Sequence, residues 1–409
     1  MSASQPALPP RVTGLVRDRF TLSLYLPFIA WGWFLYAFSP AVPLIATEQG
    51  ISRGVAGLHG TGMALGSVVT GLTSHALTRR IGRRGMALVG TALVAAGVSL
   101  LLTVPVTAVT LVACLIAGSG GTFMVTAVQP ALLEHHGTAG TAAVTEGNGL
   151  GAAVGLLAPL ALGGFVAAGF GWRPAVSIEI LMVAVVALLV LKLPRGGAMG
   201  RGPASPVSTE PGRVRFPRAF WLYWTAMVCG VAVEFATTFW ASDLVREQTD
   251  APAAVAAASV SALVLGMAAA RFVVGPLSAR RSPGGLLLLG FGVAGVGWFV
   301  LWTATTPAVA VIGLVVAGFG YGTHYPLAVA LALGGSGGRP DAGQGLLTVG
   351  GGLAVGLAPF LLGGIADRVG PHGAFLLVPA VLAVGGTAVA IAVKDHARPT
   401  ALRRALRLP

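Results

Sequence analysis

The chain has 409 residues, 55% of them hydrophobic and only 10% charged, with a net charge of +13. A soluble globular protein carries roughly 25% charged residues, so this composition excludes a water-soluble domain. The excess of Arg and Lys invites a nucleic-acid reading, but these residues sit in short loops between hydrophobic runs, where membrane topology and anionic lipid account for them.

A bilayer core of ~30 Å is crossed by about 20 helical residues. By that measure a tail over 1–20 is followed by spans at roughly 21–46, 54–77, 86–104, 108–133, 142–168 and 174–193. A linker over 194–218, rich in Pro, Gly, Ser and Arg, leads to spans at roughly 219–243, 253–278, 285–304, 308–333, 345–366 and 373–393, with a basic tail over 394–409. Two charge-free runs are too long for one crossing, and Pro105-Val106-Thr107 and Thr305-Thr306-Pro307 divide them. The first span is too long for a signal peptide, carries Trp31, Trp33 and Tyr36, and leads into further hydrophobic helices. With both termini in the cytoplasm, 21 of the 26 Lys and Arg residues fall on the cytoplasmic side, as the positive-inside rule requires. Cys114 and Cys229 lie in mid-span and read as small core residues. The expected fold is all-α, with 12 transmembrane helices in two six-helix pseudo-repeats over 21–193 and 219–393.

The repeat shows in a constant offset of 200 residues. Ala158-Pro159-x-x-Leu162-Gly163-Gly164 recurs as Ala358-Pro359-x-x-Leu362-Gly363-Gly364, and Ala117-Gly118-x-Gly120 as Ala317-Gly318-x-Gly320. Leu65-Gly66 matches Leu265-Gly266, Leu77 and Arg80 match Leu277 and Arg280, and Gly90 matches Gly290. Parallel repeats about an axis along the membrane normal are a transporter architecture, with the site between the halves and access alternating as they rock. Pro130, Pro159, Pro326 and Pro359 lie within spans and predict local bends.

The segment His75-Ala76-Leu77-Thr78-Arg79-Arg80-Ile81-Gly82-Arg83-Arg84 resembles the signature of the major facilitator superfamily between its second and third helices. Leu77, Arg80, Gly82, Arg83 and Arg84 match. His75 stands where the family has Gly, and Arg79 where it has the Asp that helps lock the cytoplasmic gate. The second copy, Gly275-Pro276-Leu277-Ser278-Ala279-Arg280, keeps Gly275, Leu277 and Arg280 and again lacks the Asp. Pro159, Gly163, Gly164, Gly171, Trp172 and Arg173 follow the family's fifth-helix pattern. The drug/proton antiporters of the family carry an Arg where this chain has Cys114, four residues before Gly118. The resemblance implies the twelve-helix fold and a cytoplasmic gate built from Leu77, Arg79, Arg80, Gly82, Arg83, Arg84, Gly275 and Arg280.

An ionisable side chain in the bilayer costs about 2.5–3.5 kcal/mol on insertion scales and is a functional hypothesis by default. Glu234, in the middle of the seventh span, is the leading candidate for proton coupling, with a structural carboxylic acid as the alternative. Glu146 is a second candidate, or else pairs with Arg79, Arg80 or Arg83 across the gate. His324, flanked by Tyr321, Tyr325 and Pro326, is a third. Trp31, Tyr36, Gln129, Asn148, Trp240, Tyr321 and Tyr325 are candidates for an aromatic, hydrogen-bonding cavity wall, the bland alternative being helix packing. Glu179 reads as a helix-end or snorkelling acid, and Arg271 as pairing or reaching the interface.

No Gly-Lys-Ser/Thr nucleotide loop and no spaced metal-ligand set occurs, so neither an enzyme nor a cofactor is expected. The expected function is secondary transport of a small organic solute, by proton-coupled efflux. The alternatives are a proton symporter importing a sugar or organic acid, and a non-transporting membrane sensor. The expected partners are the solute, protons and the lipid bilayer of the cell membrane, with no nucleic acid and no second copy of the chain.

Overall fold

The computed structural model describes residues 15–201, 216–278, 280–337 and 340–405. Among them are 12 helices long and apolar enough to cross a membrane, and no strand. They are α1 Arg19–Gln49, α2 Arg53–Ser74, α3 Ala76–Thr103, α4 Thr107–His136, α5 Ala143–Ala167 and α6 Arg173–Lys192 in the first half. The second half comprises α7 Arg218–Thr249, α8 Ala253–Val274, α9 Pro283–Trp302, α10 Pro307–Gly334, α11 Leu346–Ala374 and α12 Leu377–Asp395. An even number of crossings puts the start of α1 and the end of α12 on one face, here the terminal face; the other is the distal face.

Local sequence explains where these helices begin and bend. Asp18 caps α1, its Oδ1 accepting from the Thr21 amide at 2.8 Å, which satisfies one of the free amides of the first turn. Desolvation opposes ionisation of Asp18, yet hydrogen bonds from Thr21 and His135 outweigh it and hold the group at about 2. Near its distal end α1 tightens into a 3-10 turn over Ser39–Ala41, where Pro40 supplies no amide hydrogen. Helix α5 breaks at Leu156, between segments Gly140–Gly155 and Leu157–Ala167, because Pro159 has no N–H to offer the carbonyl of Gly155.

Helices α2 and α3 run into one another with a single non-helical residue, Gly82, at φ 75° and ψ 169°. That conformation is essentially open to glycine alone and costs other residues about 1–3 kcal/mol. Gly82→Ala should therefore lower the thermal midpoint of the purified protein. Gly71→Ala, in a helix with open space around the site, should not.

Small residues set the spacing within each half. A Cβ at Gly66 would lie 2.4 Å from the Leu115 carbonyl oxygen, and one at Gly266 would lie 2.1 Å from that of Val315. The α2–α4 and α8–α10 contacts thus depend on paired glycines 200 residues apart, as backbone-to-backbone packing in lipid requires.

The halves meet along two seams, α2 against α11 and α5 against α8. Thr61 Oγ1 donates to the Gly356 carbonyl in the first, and Ser261 Oγ donates to the Leu156 carbonyl at 2.8 Å in the second. Donors and acceptors are each 200 residues apart, so the sequence repeat reappears as a pseudo-twofold pair of hydrogen bonds. Both seams are tight on the distal side and part toward the terminal face. A Cβ at Gly352 would find only Val68, at 4.0 Å, and at Gly71, Gly149 or Gly351 it would meet nothing. The cleft between the halves opens on the terminal face.

Candidate functional site: the central cleft

Glu234 projects from the middle of α7, half-buried, one turn before Thr238, whose hydroxyl bonds the Glu234 carbonyl at 2.7 Å. Its carboxylate interacts electrostatically with Tyr36 of α1, Arg271 of α8, and Tyr321 and Tyr325 of α10. Tyr36 belongs to the first half and the other groups to the second, so the acid lies where both halves face the cleft. Tyr321 is fixed by a 3.1 Å hydrogen bond between its hydroxyl and that of Thr237. Tyr325 is 47% exposed and free to meet a solute.

Arg271 belongs to this group, in line with pairing, the first of the two roles its sequence position suggested, and not with reaching the interface. Its side chain is exposed and interacts electrostatically with both Glu234 and Tyr36. The cleft thus holds one acid, one permanent cation and three phenols. None of the five acquires a counterpart from the repeat: 200 residues before Glu234, Arg271, Tyr321 and Tyr325 stand Phe34, Gly71, Gly121 and Val125, and 200 after Tyr36 stands Ala236.

The other sequence candidates lie elsewhere. Glu146 accepts two hydrogen bonds from Arg17, at 2.6 and 2.9 Å, and so pairs with the N-terminal segment of its own half and not with Arg79, Arg80 or Arg83. His324 is 1% exposed, stacked on Phe291 with ring centroids 4.0 Å apart, and packs between α7 and α9, away from the cleft. Trp240 is buried, and its indole donates to the Pro359 carbonyl at 2.8 Å, which clamps α7 to α11. Trp31 stacks on Phe34 at 5.6 Å and covers Gly121. Gln129 is half-buried on α4, and Asn148 is exposed on α5, bonded to its own helix at Val144. Glu179 is fully buried six residues inside α6, which overturns its reading as a helix-end or snorkelling acid.

Two of the signature arginines bond within the first half. Arg83 bonds Glu134 and the Ala198 carbonyl, and Arg84 donates to the Val190 carbonyl at 3.0 Å. Leu77 is half-buried, Arg79, Arg80 and Arg280 are exposed, and Gly275 lies just past α8 in the same helix, which runs on to Ser278. Trp172 and Arg173 both bond Glu48, at 2.8 Å each, and join the distal ends of α1 and α6. Among the described residues no group of three or more His, Cys, Asp or Glu side chains is placed to hold a metal ion.

The sequence profile of the Major Facilitator Superfamily matches residues 25–338 and 246–408. Comparison with curated proteins gives no match. Among solved structures, the chain is similar to a bacterial homologue of the human lysosomal transporter Spinster in its inward-facing, unoccupied conformation. The TM-score is 0.74 at 15% identity, over 92% of this chain and 97% of that one. It is also similar to the nucleoside transporter NupG, with TM-score 0.72 at 14% identity over 92% and 98% of the two chains. The E. coli fucose:proton symporter FucP gives 0.61 at 17% identity over 92% and 99%. Twelve apolar helices in two repeated halves, a cleft between them and this profile match together make the chain a member of the major facilitator superfamily.

Proposed function

We propose that the protein is a proton-coupled secondary transporter of a small organic solute, working by alternating access, with exchange of solute for protons and export as its direction. The observation that carries this reading is Glu234, an acid in the cleft facing groups from both halves. A carboxyl there is shielded or wetted as the halves rock, so it can take up a proton on one side and release it on the other. Where solute and proton need the same carboxylate, their occupancy is mutually exclusive, which favours exchange over joint passage. Tyr36 and Tyr325 supply aromatic faces and hydroxyls for an amphiphilic solute, and buried Tyr321 backs them. The distribution of Lys and Arg supports a cell-membrane protein with its termini, and therefore the open face of the cleft, in the cytoplasm.

Arg271 supports a second reading, proton symport of an organic acid. Protonating Glu234 would leave the guanidinium without its neighbouring anion and ready for a solute carboxylate. Flux in proteoliposomes under pH gradients of both signs separates the two. Exchange predicts solute movement against the proton flow and symport predicts movement with it, measured across panels of organic cations, neutral amphiphiles and organic acids. Solute binding with no flux under any gradient would defeat both and leave a sensor.

A further inference from the structure

The two seams between the halves follow the repeat in their packing and depart from it in their charges. In the α5–α8 seam a Cβ at Gly163 would meet the Ala254 carbonyl at 2.5 Å; in the α2–α11 seam one at Gly363 would meet that of Arg53 at 2.6 Å. At the distal end of the α2–α11 seam alone, charged residues are added. Asp367 of α11 accepts from the backbone amides of Arg53 and Gly54, at 2.7 and 2.8 Å, across the two halves. The Arg53 side chain bonds Asp243 of α7 at 2.6 Å, again across the halves. The positions 200 residues away from Arg53, Asp367 and Asp243 are Ala253, Ala167 and Pro43. The same three residues line a cavity of about 290 Å³ on the distal face, which also takes in Trp240.

We infer that Asp367, Arg53 and Asp243 form a one-sided latch that holds the distal mouth shut and sets the resting preference for the state open at the terminal face. The carboxylate of Asp367 is a foreign cap. It satisfies the free amides at the start of α2, and its charge is favourable at that end of the helix dipole. Every one of these contacts joins residues of opposite halves, so rocking the distal mouth open breaks them together. Among the described residues no ion pair joins the two halves at the terminal face. Arg79 and Arg80 are exposed there, while Glu134, Glu146 and Asp18 pair with Arg83, Arg17 and His135 of their own half, and Asp395 pairs with Arg218 of the second. Asp367 is a positioning residue: it acts on the helix of the other half and touches no solute. The inference is independent of the solute and of the coupling ion.

The test uses full-length protein in nanodiscs with spin labels at Thr47→Cys and Val369→Cys, exposed positions on the distal face in opposite halves. Pulsed dipolar spectroscopy then reads the populations of closed and open distal mouths. Asp367→Asn removes the charge and turns one acceptor into a donor facing an amide. Hydrogen bonds to charged groups contribute enough that the open population should rise about tenfold. Arg53→Gln should act in the same direction, and Asp367→Glu should restore most of the closed population. Unchanged distance distributions in both Asp367→Asn and Arg53→Gln, with each variant eluting as a single species, would overturn the latch. So would Asp367→Glu behaving as Asp367→Asn does.

Discussion

Glu234→Gln is expected to abolish accumulation of solute driven by a pH gradient while leaving exchange of labelled for unlabelled solute in place. Glutamine fills the same volume in α7 and keeps a hydrogen-bonding head toward Tyr36, Tyr321 and Tyr325, but it carries no proton. One pH unit is worth about 1.4 kcal/mol per proton, so one coupled proton sustains up to about a tenfold solute gradient. In the variant that ratio should fall to one. The paired measurement is what gives the result meaning. Loss of accumulation and exchange together would indicate a damaged cleft. Accumulation at the native level would remove Glu234 from the coupling step.

The second large effect concerns closure. Gly57→Val should reduce transport more than tenfold, whereas Gly71→Val should be close to neutral. A Cβ at Gly57 would lie 2.7 Å from the Pro359 carbonyl oxygen and 2.8 Å from the Phe360 Cα, backbone atoms of the opposite half that cannot rotate away. Around Gly71 there is nothing within 4 Å. Overpacking of a tight contact costs about 1–3 kcal/mol. Because the clash exists only while α2 and α11 touch, the cost falls on the distal-closed state and biases the cycle against it. Native flux in Gly57→Val would mean that the seam need not close during transport.

The spans, the two halves and the pairing of helices by a 200-residue offset were readable because each rests on local composition or on a constant shift. The bends at Pro159 and near Pro40 follow from a missing amide hydrogen. Side-chain orientation was harder. Glu234 was found because an acid in a charge-free run is conspicuous. Trp240, six residues on, was grouped with it, although at about 100° per residue the two point to different sides of α7. The same rotation separates His324, buried on Phe291, from its exposed neighbour Tyr325. Glu146 finds Arg17, and Arg53 finds Asp243 and Asp367, across separations of 129, 190 and 314 residues, which no local pattern encodes. In the sequence Glu146 stood out but its partner did not, and Arg53, Asp243 and Asp367 were not singled out for any site.

The docking of residues 197–200 has a mechanical consequence. The Arg83 guanidinium donates to the Ala198 carbonyl at 2.7 Å and its amide to the Gly200 carbonyl at 3.0 Å, while Met199 is fully buried. The connector's opening residues therefore travel as cargo of the first six helices. Proline-rich composition begins at Pro194, yet the residues up to Gly200 stay pinned to the first bundle and move with it.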